Sequence, residues 1–320
     1  MAEPNPMQTR FTRQFGVRLP IVQGAMSWAS SGSALASAVS NAGGLGTVAA
    51  GPMRVEAFAQ ALVEMRQQTT APWAVNIPLY NPRAAAYLEL AHAARVPILI
   101  ASQGGPAEHL ARFHAIGTRW LHVVTTPAHA RKAVDAGVDG LIAVGGEAGG
   151  HPAPSEVSTL VLTRALARQF DIPLIAAGGV ADGFGIAALL ALGADAVQLG
   201  TRFLATTQAN VHADYKTAVV QADIDATTLV GRGRLPIRQL RNAFSARYLA
   251  AEQAGEDRET LAQIFQSASL KQAALEGDVD AGKPEAGQSA GLIDSVLSVE
   301  ELMQQLTREL AQARQRLMGI

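Results

Sequence analysis

The chain contains no cysteine, which excludes disulfides, thiolate nucleophiles and cysteine-ligated iron–sulfur clusters. Charge is sparse: 17% of residues are Asp, Glu, Lys or Arg, and the net charge is -1 at pH 7. There is no basic field of the kind that draws nucleic acid or an anionic membrane surface. Although 48% of residues are hydrophobic, Gly, Pro or charge breaks every run before it nears the ~18 residues of a membrane span. The opening MAEPNPMQTRFTRQFG lacks the apolar core of a secretory signal. No His/Asp/Glu cluster has metal-ligand spacing and no nucleophile elbow is present, so redox chemistry would need an organic cofactor. These absences lead to the expectation of a cytoplasmic protein with a small-molecule partner, no nucleic acid, no membrane and no metal. A homodimer is the assembly considered, and no residue pattern specifies it.

What is present is rhythm. Short apolar runs recur at PIVQGAM from 20, GLGTVAA from 44, WAVNIPL from 73, VPILIAS from 96, RWLHVV from 119, GLIAVGG from 140, IPLIAAGG from 172 and DAVQLGT from 195. Ala-rich segments with helical spacing lie between them, two of them (SALASAVSNAG and PAHARKAVDAG) ending in a glycine suited to a helix C-cap. Continuous apolar strands imply burial on both faces, as in a parallel sheet wrapped by helices. Eight units predict an α/β fold, a (β/α)8 TIM barrel over residues 1–206, in preference to an open doubly wound sheet. Residues 207–290 read as a helical lid without strands, and 291–320 as a C-terminal helix packing back on the barrel. Ser298 and Glu301 have capping-box spacing there, and Leu302, Leu306, Leu310, Ala313 and Leu317 form one stripe.

A barrel of this type places its site at the C-terminal ends of the strands. The residues there are small: Gly24, Ala25 and Met26 after the first, Asn76 in the third, Gly146, Gly149, Gly150 and His151 after the sixth. Ala177, Gly178 and Gly179 follow in the seventh, and Gln198, Gly200 and Thr201 in the eighth. Glycines after strands seven and eight let backbone N–H groups approach a phosphate, and the following helix would turn its positive end to the anion. FMN suits such a mouth, with its ring across Gly24 and Ala25 and with Gln23 and Asn76 offering amides to its polar edge. His151, behind two glycines at a strand end, could act on a substrate or could cap a loop or turn hydrogen bond. His122 could face the mouth or sit in the core, and Glu147 could be a base or a loop carboxylate. The cluster Arg232, Arg234, Arg238 and Arg241 could meet a phosphate of NADH, CoA or a phosphopantetheine arm, or form a solvated helix face.

The motifs QGAMSWAS, NAGGLGTV, VNIPL, GGEAGGHP, IAAGGVADG and VQLGTRFL resemble, in order, those of the nitronate monooxygenase family, formerly the 2-nitropropane dioxygenases. The resemblance implies an FMN-containing TIM barrel that oxidises alkyl nitronates with O2. It carries FMN contacts to Ala25, Met26, Asn76, Gly149, Gly150, Gly178, Gly179, Gly200 and Thr201, and catalysis to His151. The superfamily also includes flavin-type enoyl-acyl-carrier-protein reductases and NADH:quinone reductases, which use NADH or NADPH on an enoyl thioester or quinone. The form around Gln23 to Trp28, with GDVDAGKPEAGQSAGLI from 277, is similar to the enoyl reductase branch. A barrel that binds FMN without catalysis is the remaining alternative.

Overall fold

The computed structural model describes residues 8–233 and 235–319. Each apolar run forms a strand: β1 (Ile21–Gln23), β2 (Gly46–Ala49), β3 (Trp73–Pro78), β4 (Ile98–Ser102), β5 (Arg119–Val124), β6 (Gly140–Val144), β7 (Leu174–Ala177) and β8 (Ala196–Leu199). All pair in parallel in the order β1-β8-β7-β6-β5-β4-β3-β2, and a parallel bridge from Val22 to Leu45 brings β1 back to β2. The eight strands thus make a (β/α)8 TIM barrel. After α1 (Arg10–Phe15), the helices α2 (Ser33–Asn41), α3 (Val55–Gln68), α4 (Ala84–Ala93), α5 (Ala107–Ala115), α6 (Pro127–Ala136), α7 (Thr159–Ala167) and α8 (Gly183–Ala191) alternate with strands.

Strand side chains alternate between the barrel interior and the helix layer. Val22, Leu45, Ala74, Ile98, Ile100, Leu121, Ile142, Ile175 and Ala196 pack together inside. Trp120, Val124, Leu141 and Leu174 lie outside, packed with the helices. Phe11 and Phe15 of α1 join the interior cluster and fill the end remote from the strands' C-termini. Arg10 fixes that plug, its Nε 2.9 Å from Asp195 Oδ1.

Beyond β8 come α9 (Thr201–Leu204), α10 (Ala213–Val220), β9 (Thr227–Val230), β10 (Ile237–Leu240), α11 (Ala243–Gln253) and α12 (Arg258–Gln266). The stretch expected to be helix without strand therefore contains an antiparallel hairpin. TTLV and IRQL are too short for a clear period, yet Gly231 and Gly233, both near φ +80°, turn the chain between them. Val230 and Ile237 then bury against Phe244 and Tyr248.

α13 (Val299–Met318) carries the expected capping box between Ser298 and Glu301. Val299, Leu302, Met303, Leu306, Leu310 and Ala313 pack against the wall formed by α8 and α2. Leu317 departs from the expected stripe and is 56% exposed, because the helix runs past the barrel before reaching it.

Candidate active site

The C-terminal strand ends open into a cavity of about 290 Å³. Inward positions of the strands form its floor: Asn76, Ile100, Ser102, Val123, Val144, Ala177 and Gln198. The loops add Gly24, Ala25, Met26, Gly149, Gly150, His151, Gly178, Gly179, Gly200 and Thr201. Of the residues expected at the site, two lie elsewhere. Gln23 follows the inward Val22 and so turns away from the interior. Its Oε1 accepts from Thr47 N at 2.8 Å and its Nε2 donates to Gly24 O, tying β1 to β2. Gly146 is backed by the Glu156 backbone, only 2.6 Å from where a Cβ would stand.

β10 organises one side of the cavity. Arg238 N donates to Gly150 O at 2.7 Å and Gly150 N to Arg238 O at 3.1 Å. On the same edge, Leu240 N donates to Pro284 O at 2.9 Å. One strand therefore holds both the loop that carries His151 and the segment that carries Glu285. His151 Nδ1 lies 3.0 Å from Pro236 O; a carbonyl only accepts, so Nδ1 carries the proton and Nε2 is the free nitrogen.

Glu285 also lines the cavity. Burial pushes its carboxyl pKa up, and His151 and Lys283 pull it back down. Nothing in the sequence marked it beyond an acid inside the glycine-rich return GKPEAGQSAG. Tyr215, its own pKa raised by burial, donates its hydroxyl to Glu285 O at 2.6 Å. Gly150, at φ +71°, has Glu285 Oε2 only 3.0 Å from its Cβ position.

The structure decides the alternatives left open elsewhere. Glu147 is no free base: its Oε2 accepts from Thr159 N at 2.7 Å and Thr159 Oγ1 at 2.9 Å, fixing the start of α7. His122 alternates with the inward Leu121 and Val123, so it faces the helix layer, where burial lowers its pKa to about 4. The arginines form no helix face. Arg238 is buried, with Nε donating to Gly146 O at 3.0 Å and the guanidinium 3.6 Å from Glu156. Arg232 also meets Glu156, at 3.3 Å, and Arg241 donates to Asp225 O; Arg234 lies outside the described residues. Nor does α8 offer its positive end to a ligand. Asp182 caps it through Gly185 N at 2.7 Å, and Glu309 takes Gly183 N at 2.9 Å.

What remains for an anion is loop backbone. The N–H groups of Gly178, Gly179 and Gly200 donate to no group among the described residues. Among those residues there is also no His/Cys/Asp/Glu cluster able to hold a metal, and no helix long and apolar enough to cross a membrane.

The nitronate monooxygenase family model matches residues 8–91 and 86–309; the chain belongs to that family. It is 32% identical to the "(3aS,4S,5R,7aS)-5-hydroxy-7a-methyl-1-oxo-octahydro-1H-indene-4-carboxyl-CoA dehydrogenase" of Mycobacterium tuberculosis, over 94% of this chain and 95% of that protein. It is 33% identical, with the same coverage of each, to a nitronate monooxygenase of Paraburkholderia phytofirmans. FabK from Thermotoga maritima superposes with a TM-score of 0.92 at 38% identity, over 98% of this chain and 99% of that one. The protein is thus an enzyme, an oxidoreductase of the nitronate monooxygenase family.

Proposed function

We propose that the cavity binds FMN and that the enzyme reduces a neutral conjugated carbonyl compound, of the enoyl thioester class, with NADH or NADPH as electron donor. The observation that carries this reading is the charge of the lining. Its only ionisable side chains among the described residues are His151, Glu285 and Tyr215, and it contains no Lys or Arg. An anionic nitronate would find a single imidazole to attract it and a carboxyl group beside it. A neutral carbonyl compound needs no fixed cation in the lining to draw it in. The CoA thioester in the name of the mycobacterial relative supports the same substrate class.

The residues present suit FMN. A Cβ on Gly200 would point into the cavity and meet only Met26, at 3.7 Å, so protein packing does not require glycine there and close approach of a ligand does. The unengaged N–H groups of Gly178, Gly179 and Gly200 match a phosphate. The Gln198 amide is without a partner among the described residues, and Asn76 commits only its Nδ2, to Ile100 O at 3.3 Å, which leaves amide groups for the ring's polar edge. Bound FMN would supply hydride exchange with the substrate carbon. The chain's own residues bind, orient and exchange protons.

A second reading, nitronate oxidation with O2, rests on the family model and on the Paraburkholderia relative. Anaerobic mixing separates the two. The purified protein is expected to be yellow and to release FMN on denaturation, and NADH or NADPH should bleach it rapidly. Bleaching by an alkyl nitronate but by neither nicotinamide would decide for the monooxygenase.

A further inference from the structure

Glu285 is the one carboxyl group lining the cavity among the described residues. Its main chain is fixed by Tyr215 and by a bridge to Gln239, while its carboxyl oxygens receive no hydrogen bond from the described residues; its electrostatic partners are His151 and Lys283. Structural carboxylates near the barrel mouth are tied up differently. Glu147 is held by Thr159, and Glu309 by Gly183. A half-buried carboxyl group whose oxygens are not engaged holds its proton more tightly than an ordinary one, burial pushing its pKa up, and it faces the cavity with that proton to give.

We propose that Glu285 is a catalytic residue, a general acid that protonates the α-carbon of a substrate enolate formed in the cavity opposite His151. This role rests on the conjugated-carbonyl reading. In the step, the Glu285 O–H bond breaks and a C–H bond forms at the α-carbon. The enolate's negative charge ends on the Glu285 carboxylate. No electrons are exchanged in this half, the hydride having come from the nicotinamide donor in the preceding one.

Three ionisable groups face the resulting carboxylate. His151 comes from the loop after β6, and Tyr215 of α10 stays neutral. Lys283, from the same segment, is buried with Nζ 3.4 Å from the Phe265 ring centre, and burial lowers its pKa to about 8. At neutral pH it is still mostly a cation, so the new negative charge is not stranded. His151, an exposed residue, provides the return path for a proton from solvent.

The test uses Glu285→Gln and Glu285→Asp in two measurements. In flavin-free protein, infrared difference spectroscopy of wild type against E285Q at neutral pH should show the C=O stretch of a protonated carboxyl group that E285Q lacks. A band absent from wild type as well overturns the acid form of Glu285. In FMN-loaded enzyme with crotonyl-CoA as probe, nicotinamide should still bleach the flavin of E285Q at the wild-type rate. Turnover should fall roughly 10² to 10⁴-fold, the alkaline limb of kcat/KM should vanish, and E285D should recover part of both. Normal flavin reduction with wild-type turnover and an intact alkaline limb in E285Q overturns the role of Glu285 alone. Wild-type enzyme that neither nicotinamide reduces overturns the reductase reading and this role with it, whatever the infrared spectrum shows.

Discussion

Two glycines of the mouth that look alike in sequence are glycine for different reasons. Gly179 sits at φ +73°, with its Cβ position 3.1 Å from Glu147 Cβ, so any side chain there strains the protein itself. Gly200 has φ -102° and no crowding neighbour. Gly200→Leu should therefore keep its thermal midpoint within about 3 °C of wild type while losing FMN, measured by absorbance after gel filtration. Full flavin content in that variant would place the cofactor elsewhere. His122 offers a test unconnected to ligand. The folded chain keeps it neutral down to about pH 4, whereas the unfolded chain protonates it near ~6.5. Between these values the unfolded state binds more protons, so stability is full above the upper one and falls as pH drops toward the lower. Urea denaturation at pH 7 and pH 4.5 should show a loss of about 2 to 3 kcal/mol from this residue, and His122→Leu should remove it.

At the scale of elements, α8 and α13 meet through a glycine. A Cβ on Gly183 would stand 2.2 Å from Leu310 N, which is backbone and cannot swing aside. Gly183→Ala should therefore push α13 off the wall at a cost of roughly 2 to 4 kcal/mol. Calorimetry would register it, and a midpoint equal to wild type would mean the helices sit farther apart. The same contact explains why the first turn of α8 serves the fold: Glu309 and Asp182 already occupy it. A sequence shows a glycine-rich loop before a helix, which is the pattern of an anion site; it does not show that a carboxylate 126 residues away takes the free N–H. The β9–β10 hairpin was hidden for a related reason. Four-residue strands carry too little alternation to compete with the helical look of their surroundings, and only burial of Val230 and Ile237 beneath Phe244 makes them strands.

For the whole molecule, the barrel was legible because its signal is repeated: eight continuous apolar runs, each buried on both faces, with helical segments between. Alternation within those runs also determined which side chains reach the mouth. Asn76 and Gln198 lie on inward positions, whereas Gln23 and His122 fall on outward ones, a distinction of parity that requires knowing where the interior begins. His151 was visible behind its glycines. Glu285 was not, since it arrives from a segment 134 positions later and faces His151 only because both flanking backbones share one edge of β10. The sequence by itself therefore determined the barrel, the end that carries the site and the family, because those depend on local periodicity and on motifs in chain order. Tertiary structure decided which glycines are free for a ligand, that Arg238 is an internal tie, and that a carboxyl group completes the cavity, because each depends on contacts between segments whose separation no local pattern records.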